Sequence, residues 1–178
     1  MRRRILAVVA VAVTCLVAPA HAEDPAPIPT ENTAGQAEPA APPDMALSRA
    51  RVELLVQAIR KDEPELALPL FFPAAAFDQV KAIKDPGRYH RKLVKVYLED
   101  VRALRKGLKD PNNIELISVE AGRQKTWMKR GAEGNHLPYW AMYKARVTVK
   151  DGDRTRVLPL RVMINWGDQW YVTHLTRK

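Results

Sequence analysis

Apolar residues in the first half of the chain recur at the spacing of helices. Between residues 45 and 59 they return every three or four positions, a pattern typical of an amphipathic helix. Asp44 is placed to cap the start of this helix, and the Asp-Glu-Pro sequence at residues 62–64 ends it. Two shorter apolar helices or turns are predicted, one over residues 65–72 and one from residue 74 to the Asp-Pro-Gly sequence at residues 85–87.

The segment from Arg88 to Leu108 predicts the longest and most regular helix. At about 100° per residue its apolar side chains fall within about 80° of one another, which indicates that one stripe faces a core. This stripe consists of Leu93, Tyr97, Val101, Leu104 and Leu108. The opposite arc, which we call the basic face, is interrupted by Glu99 and Asp100 and consists of Arg88, Arg91, Lys92, Lys95, Arg102, Arg105, Lys106 and Lys109.

In the second half of the chain the hydrophobic period changes to two, which is typical of strands. A strand is predicted over residues 114–119, and residues 139–149 predict a long strand that turns at residues 151–153. Its partner covers residues 158–166, and a last strand follows a tight turn. Each long strand is expected to keep one buried face, made by Tyr139, Ala141, Tyr143, Ala145, Val147 and Val149 in the first and by Leu158, Leu160, Val162, Ile164 and Trp166 in the second. Helices first and antiparallel strands last predict an α+β fold, with N-terminal helices packed on a sheet formed by the C-terminal half.

Residues 1–22 have the three parts of a secretory signal peptide. Three arginines at residues 2–4 precede an apolar run at residues 5–17, and Ala-His-Ala at residues 20–22 offers a cleavage site. An uncleaved anchor is disfavoured because the run is shorter than the about 20 residues that cross a bilayer, and a lipid-modified Cys15 is disfavoured because that residue lies inside the run. We therefore expect a mature chain that starts at Glu23, without cysteine, in a bacterial periplasm or secreted.

Residues 23–43 are rich in proline and alanine and contain one large aliphatic side chain, Ile28. Such a composition buries too little apolar surface to fold, so we expect a disordered leader before a single domain at residues 44–178. The whole chain has a net charge of +9. Because the leader carries acidic residues and no basic ones, the domain behind it is strongly basic.

The order of these elements resembles the nuclear transport factor two-like superfamily, also called SnoaL-like or ketosteroid isomerase-like. The matching features are Leu54-Leu55 with Ala58-Ile59 in the first helix, the Leu70-Phe71-Phe72 segment, and a closing hairpin at residues 162–172. The resemblance implies helices packed into a strongly curved antiparallel sheet, with a cavity that some members use for acid–base chemistry and others for binding or dimerisation. Two departures are the long charged helix and Pro159, which requires a strand edge or a bulge.

The resemblance also implies that a catalytic member would hold a general acid or base in the cavity. Weak candidates are His174, expected on the Trp170 side of the last strand, and Asp78, which follows an aromatic residue. His90 is the third candidate, since neighbouring cations would keep it neutral, although an exposed histidine at a helix end is the simpler interpretation. The other titratable side chains considered are Tyr89, His136, Tyr139 and Tyr143.

The aromatic residues of the C-terminal half allow two interpretations, ordinary packing or a pocket for a small apolar or ring-bearing ligand. The cavity residues would be Tyr143, Asn165, Trp170 and His174. The histidine spacing predicts no metal site, and the glycines form no phosphate-binding motif, so we expect neither a metal nor a cofactor.

These observations favour an exported, non-enzymatic binding module of the cell envelope. The basic face would dock on an anionic envelope component, such as lipid head groups or lipopolysaccharide phosphates, or on an acidic protein; a merely solvated face is the alternative. Export disfavours nucleic acid, and a homodimer through the sheet is compatible with the resemblance. The alternative function is a small cavity enzyme of isomerase, dehydratase or hydrolase type. A hollow cavity with a buried titratable group would favour the enzyme, and a filled apolar cavity would favour association.

Overall fold

The computed structural model describes residues 41–176, so the predicted signal peptide and residues 23–40 of the leader lie outside the described residues. The described part contains three α-helices, α1 (Arg49–Lys61), α2 (Ala74–Val80) and α3 (Pro86–Lys106). Short 3-10 helices cover Met45–Ser48, Pro64–Leu70 and Pro111–Asn113. The strands are β1 (Glu115–Glu120), β2 (Gln124–Met128), β3 (Tyr139–Asp151), β4 (Arg154–Trp166) and β5 (Gln169–His174).

The first helical segment begins and ends where the sequence predicts. The Asp44 carboxylate accepts a hydrogen bond from the backbone N–H of Ala46 at 2.9 Å and thereby caps the 3-10 turn before α1. At the other end, Asp62 adopts the left-handed conformation with φ 59° and stops the helix. α1 buries Val52, Leu55, Val56 and Ile59 of the predicted apolar stripe, and it also buries Arg51 and Ala58.

Helix α2 ends at Val80, before the Asp-Pro-Gly boundary that the sequence predicts. The reason is a backbone pairing with a distant loop, because the chain becomes extended at Lys81 and forms an antiparallel bridge with Asn135. Helix α3 then starts under the cap of Asp85, whose side chain accepts from Arg88 N at 2.9 Å. Its apolar stripe is confirmed, with Tyr97 and Val101 buried and Leu93 and Leu104 partly buried, and the partly buried Leu108 follows just after the helix ends at Lys106.

The five strands form one open antiparallel sheet, which confirms the α+β fold. The strand order is β1-β3-β4-β5, and β2 also pairs with β3. The two short strands therefore occupy the same edge of β3 one after the other, β1 beside residues 146–150 and β2 beside residues 139–143. Pro159 lies at a strand edge, as its missing N–H requires, because β5 pairs only with residues 162–166 of β4.

The residues predicted for one face of each long strand are buried or half-buried, but they do not all pack in the same core. In β3, Val147 and Val149 belong to the main core, but Tyr139 and Ala141 belong to a second core. The alternation reverses at Lys144, which has a φ of 62° and is the one non-glycine residue of the described sheet in the left-handed region. β4 reverses in the same way, and a register shift at its pairing with β5 accompanies the change.

Two neighbouring phenylalanines pack in different cores. Phe71 packs in the main core with α1, α3 and the sheet, whereas Phe72 packs in the second core with Phe77 and Trp166. Both are held against β5, since the N–H of Phe72 donates to the carbonyl of Val172 at 2.9 Å. The free edge of β5 is thus partly covered by this segment, and the second core lies under α2.

Candidate functional site

A cavity of about 260 Å³ lies between α2, the N-terminal half of α3 and the sheet. Its walls are largely apolar and come from Phe77, Leu93, Ala141, Val162 and Ile164. The reversal of β3 and β4 places this face of the sheet in the second core, whereas α3 packs mainly on the main core. A space therefore remains between the sheet and the helices. A concave apolar space of this kind is the usual form of a small-ligand site.

Three polar side chains form a hydrogen-bonded chain along the cavity. Lys81 Nζ donates to Tyr139 Oη at 3.2 Å, and the Tyr139 hydroxyl donates to Glu133 Oε2 at 3.0 Å. Burial raises the pKa of Tyr139, and the Glu133 carboxylate raises it further, so the phenol stays protonated at neutral pH. Burial lowers the pKa of Lys81, and Glu133 opposes that shift. We call these three residues the polar cluster.

The loop that carries Glu133 is held rigidly against the end of α2. Ala82 N donates to Gly134 O at 2.7 Å, and His136 N donates to Val80 O at 2.7 Å. Inside the loop, the buried Asn135 amide donates to the carbonyls of Lys129 and Leu137. These bonds fix the position of Glu133 relative to Lys81, although the two residues are far apart in the sequence.

His174 lies at the rim of this cavity and not on the Trp170 side of β5. A β-bulge precedes it, since Val172 pairs with Met163 while His174 pairs with Val162, and the extra residue reverses the expected orientation. The side chain is exposed, and its Nδ1 lies 3.2 Å from Thr173 Oγ1. Part of the ring is nevertheless shielded from solvent, and this partial burial lowers its pKa; the positive charges of Arg161 and Lys81 lower it further to a smaller extent, and Asp100 acts in the opposite direction.

Of the other predicted catalytic residues, neither reaches the cavity. Asp78 is exposed on α2. His90 is not an exposed histidine at a helix end, because it is buried between Phe71 and Phe77 and its Nε2 lies 2.8 Å from the carbonyl oxygen of Phe72. The sequence could not predict this burial, since the phenylalanines approach His90 only in the folded chain.

Two of the four predicted cavity residues line the cavity, and two have structural roles instead. Tyr143 and His174 line it, and burial together with Glu133 raises the pKa of Tyr143. Asn165 is buried, and both polar atoms of its side chain are hydrogen-bonded. Its Oδ1 accepts from Trp140 N at 2.7 Å and its Nδ2 donates to Gly167 O at 2.8 Å. Trp170 is part of the main core, and its indole donates to Pro43 O at 2.9 Å.

The basic face of α3 divides into two halves. In the C-terminal half, Arg102 pairs with Glu65 at 3.3 Å and Lys109 pairs with Asp153 at 2.9 Å. Arg105 donates to the carbonyl oxygen of Ile59 and to Asn112 and Asp62, so it holds the end of α1. Lys106 is exposed. Asp100 does not interrupt the basic face, because it is buried and accepts from Thr176 N at 3.3 Å.

The N-terminal half of the basic face is different, because all its cations are exposed and no ion pair joins any of them to a carboxylate within residues 41–176. We call these residues the N-terminal basic patch; they are Arg88, Arg91, Lys92 and Lys95. At about 100° per residue they span an arc of about 100°. Exposed Tyr89 lies between Arg88 and Arg91 in the sequence and also lines the cavity, and exposed Ile83 lies in the segment before α3.

Sequence reasoning missed Lys81 and Glu133. Lys81 follows a short helix and Glu133 lies between glycines in a loop, so neither belongs to a periodic pattern or a motif. Tyr139 is one of the titratable candidates, but its expected place in the buried face of β3 gives no reason to predict a hydrogen bond with a lysine. The sequence offers one indication that Lys81 is partly buried, since the apolar residues Phe77 and Val80 come shortly before it.

Within residues 41–176 no three histidine, cysteine or acidic side chains come together as a metal site. The helices described there are also too short or too polar to span a membrane. Comparisons of the chain with protein-family models, with curated proteins and with solved structures give no match.

Proposed function

We propose that this protein is an exported, non-enzymatic binding module that docks on anionic lipid head groups of the cell envelope through the N-terminal basic patch. The observation that carries the proposal is the set of four exposed cations without carboxylate partners among the described residues. Helix stability does not account for them. The helix dipole is positive at the N-terminus, so cations near this end are less favourable than they would be near the other end.

The side chains next to the patch favour a lipid surface over an acidic protein or a free phosphate. Tyr89, which directly follows Arg88, is 49% exposed, and Ile83 in the segment before α3 is 39% exposed. Aromatic and aliphatic side chains interleaved with lysine and arginine are typical of surfaces that lie in the head-group region of a bilayer. Each cation near an anionic surface contributes about 1 kcal/mol, so four provide binding that is measurable and reversible.

Cosedimentation with vesicles tests this function. The purified protein is mixed with vesicles of phosphatidylglycerol and phosphatidylcholine, or of phosphatidylcholine alone, at several salt concentrations. We expect binding to the anionic vesicles only, with a loss as the ionic strength rises and the Debye length shrinks from about 10 Å at 0.1 M to about 3 Å at 1 M. Equal binding to both kinds of vesicle, or binding that salt does not weaken, would remove the proposal.

The relationship to the nuclear transport factor two-like superfamily and the location in the periplasm or outside the cell remain part of the proposal. Helices packed on an open antiparallel sheet and a cavity beside them support the relationship at the level of the fold, and fold alone does not determine function. Export is supported by the tripartite pattern of residues 1–22.

A cavity enzyme is the second candidate function, and one observation favours it. The cavity is hollow and carries the polar cluster, in which a buried phenol lies between an ammonium group and a carboxylate. Such groups transfer protons in many active sites. Of the three catalytic candidates His174, Asp78 and His90, His174 is the one that lines the cavity.

A further inference from the structure

The cavity beside α2 has a mixed lining. The polar cluster and His174 contribute charged and polar groups, and Phe77, Leu93 and Ile164 are among its apolar residues. Its volume of about 260 Å³ lies at the lower limit of ordinary ligand sites, about 300 Å³, and so suits a small molecule. A ligand that fits must therefore combine a polar or charged group with a compact apolar or ring-bearing body.

The charge that the ligand should carry follows from the cations around the cavity. Lys81 donates to Tyr139, and its ammonium group has three protons, so donors remain for a ligand. Arg161 acts on His174 from the other side, in an open groove of about 560 Å³ that also contains Tyr143 and Lys144. The charge of Asp100 opposes these cations, but its carboxylate is buried and accepts from Thr176 N.

Glu133 is the acidic residue that lines the cavity, and we expect its charge to limit the affinity for an anion. Its carboxylate accepts from Tyr139 and lies at an exposed position, so it offsets part of the charge of Lys81. An incoming anion would take over one of the donors of Lys81 and would be repelled by Glu133. Weak to moderate affinity is the expected result, and removal of the Glu133 charge should increase it.

We propose that this cavity binds a small organic anion whose apolar or aromatic body lies against Phe77, Leu93 and Ile164 and whose anionic group accepts hydrogen bonds from Lys81. Ionic hydrogen bonds in a partly dehydrated pocket are stronger than neutral ones, which gives a preference for the acid over a neutral molecule of the same shape. The binding is non-covalent. It does not depend on the docking of the N-terminal basic patch.

Isothermal titration calorimetry with two probes of nearly equal size tests the proposal. 4-Phenylbutyrate carries a carboxylate and 4-phenylbutan-1-ol carries a hydroxyl on the same body. At pH 7.5 and without vesicles, we expect the acid to bind at least about tenfold more tightly than the alcohol, and Lys81→Met to abolish this preference. Glu133→Gln should strengthen binding of the acid about threefold or more, and Lys84→Met, which removes an exposed lysine outside the cavity, should change nothing.

Amide chemical shifts on addition of the acid give the position of the site independently of any variant. Val162, Thr173 and His174 should shift, and Lys106 and Lys109 at the other end of the basic face should not. Equal affinity for the acid and the alcohol, an equal effect of Lys81→Met and Lys84→Met, or no binding of either probe would overturn the proposal. Because no lipid is present, a failure here leaves the vesicle result untouched, and a failure of docking leaves this result untouched.

Discussion

Gly122 lies directly against the carbonyl group of Tyr143, so closely that a Cβ on Gly122 would stand 2.8 Å from the Tyr143 carbonyl carbon and would overlap its oxygen. Gly122 connects β1 to β2, and Tyr143 precedes Lys144, where β3 changes its buried face. The close approach therefore occurs where the strand paired with this edge of β3 changes from β1 to β2. The cavity lies on the face that this reversal creates.

Gly122→Ala should destabilise the domain by about 1–3 kcal/mol, because the added methyl group meets a backbone carbonyl that cannot rotate away. The measurement is the free energy of unfolding from urea denaturation. Gly87→Ala is the matched control, since a Cβ there would meet only the flexible end of Arg91 at 3.5 Å within a helix. It should be neutral or stabilising by up to about 1 kcal/mol. Equal stability of the two variants would show that the close approach does not constrain the sheet.

Asp151 should make the domain sensitive to acid. Its carboxylate accepts from Lys109 N at 2.9 Å and Asp110 N at 2.7 Å, and these bonds, with the charge of Arg156, hold its pKa below the ordinary value. A lowered pKa stabilises the fold above the pKa of the unfolded chain, about 3.9, and this stabilisation is lost as the pH falls through the folded value.

The free energy of unfolding of the native protein should accordingly decrease on acidification below about pH 4, and Asp151→Asn should show a shallower decrease. The amide cannot accept both N–H groups, so this variant should also be less stable at neutral pH. Asp153→Asn serves as the control, because Asp153 is exposed and pairs with the exposed side chain of Lys109. An acid sensitivity that is the same in Asp151→Asn and the native protein would contradict the role of Asp151.

His90 should prove to be a structural residue. Its Nε2 must carry the hydrogen that the Phe72 carbonyl accepts at 2.8 Å, and its ring fills the space between Phe71 and Phe77. His90→Ala should cost about 2–4 kcal/mol in thermal or chemical denaturation, since it removes a buried hydrogen bond and leaves a cavity. Exposed His136→Ala should stay within about 0.5 kcal/mol of the native protein. A His90 variant of native stability that no longer bound 4-phenylbutyrate would assign the ring a direct role in the site.

The helices and the strands β1, β3, β4 and β5 could be predicted from the sequence because each depends on a local pattern, whereas β2 was not predicted. The stripe from Leu93 to Leu108 and the caps Asp44 and Asp85 act within a few residues of their own position. The reversal at Lys144 could not be predicted, because period-two patterning assumes regular backbone and a left-handed lysine has no sequence signature.

The polar cluster could not be predicted from the sequence, for a different reason. Lys81 and Glu133 meet because the end of α2 pairs with the loop around Asn135, and that pairing depends on backbone hydrogen bonds that any residue can make. Likewise, Arg105 is part of the basic face by position in the helix, yet tertiary contacts direct it to the end of α1. Helical periodicity predicts which side of a helix is polar, but not which of its charges are already neutralised.

The central claim is that the N-terminal half of α3, and not net charge alone, binds the membrane surface. Two triple variants with the same net charge test it most directly, one with Arg91, Lys92 and Lys95 changed to Gln and one with Arg102, Lys106 and Lys109 changed to Gln. Exposed charges contribute little to stability, so both should fold. In cosedimentation with phosphatidylglycerol vesicles at about 0.1 M salt, the first should lose at least about tenfold in affinity and the second should stay within about threefold of the native protein. Equal losses in the two variants, or no loss in the first, would contradict the account.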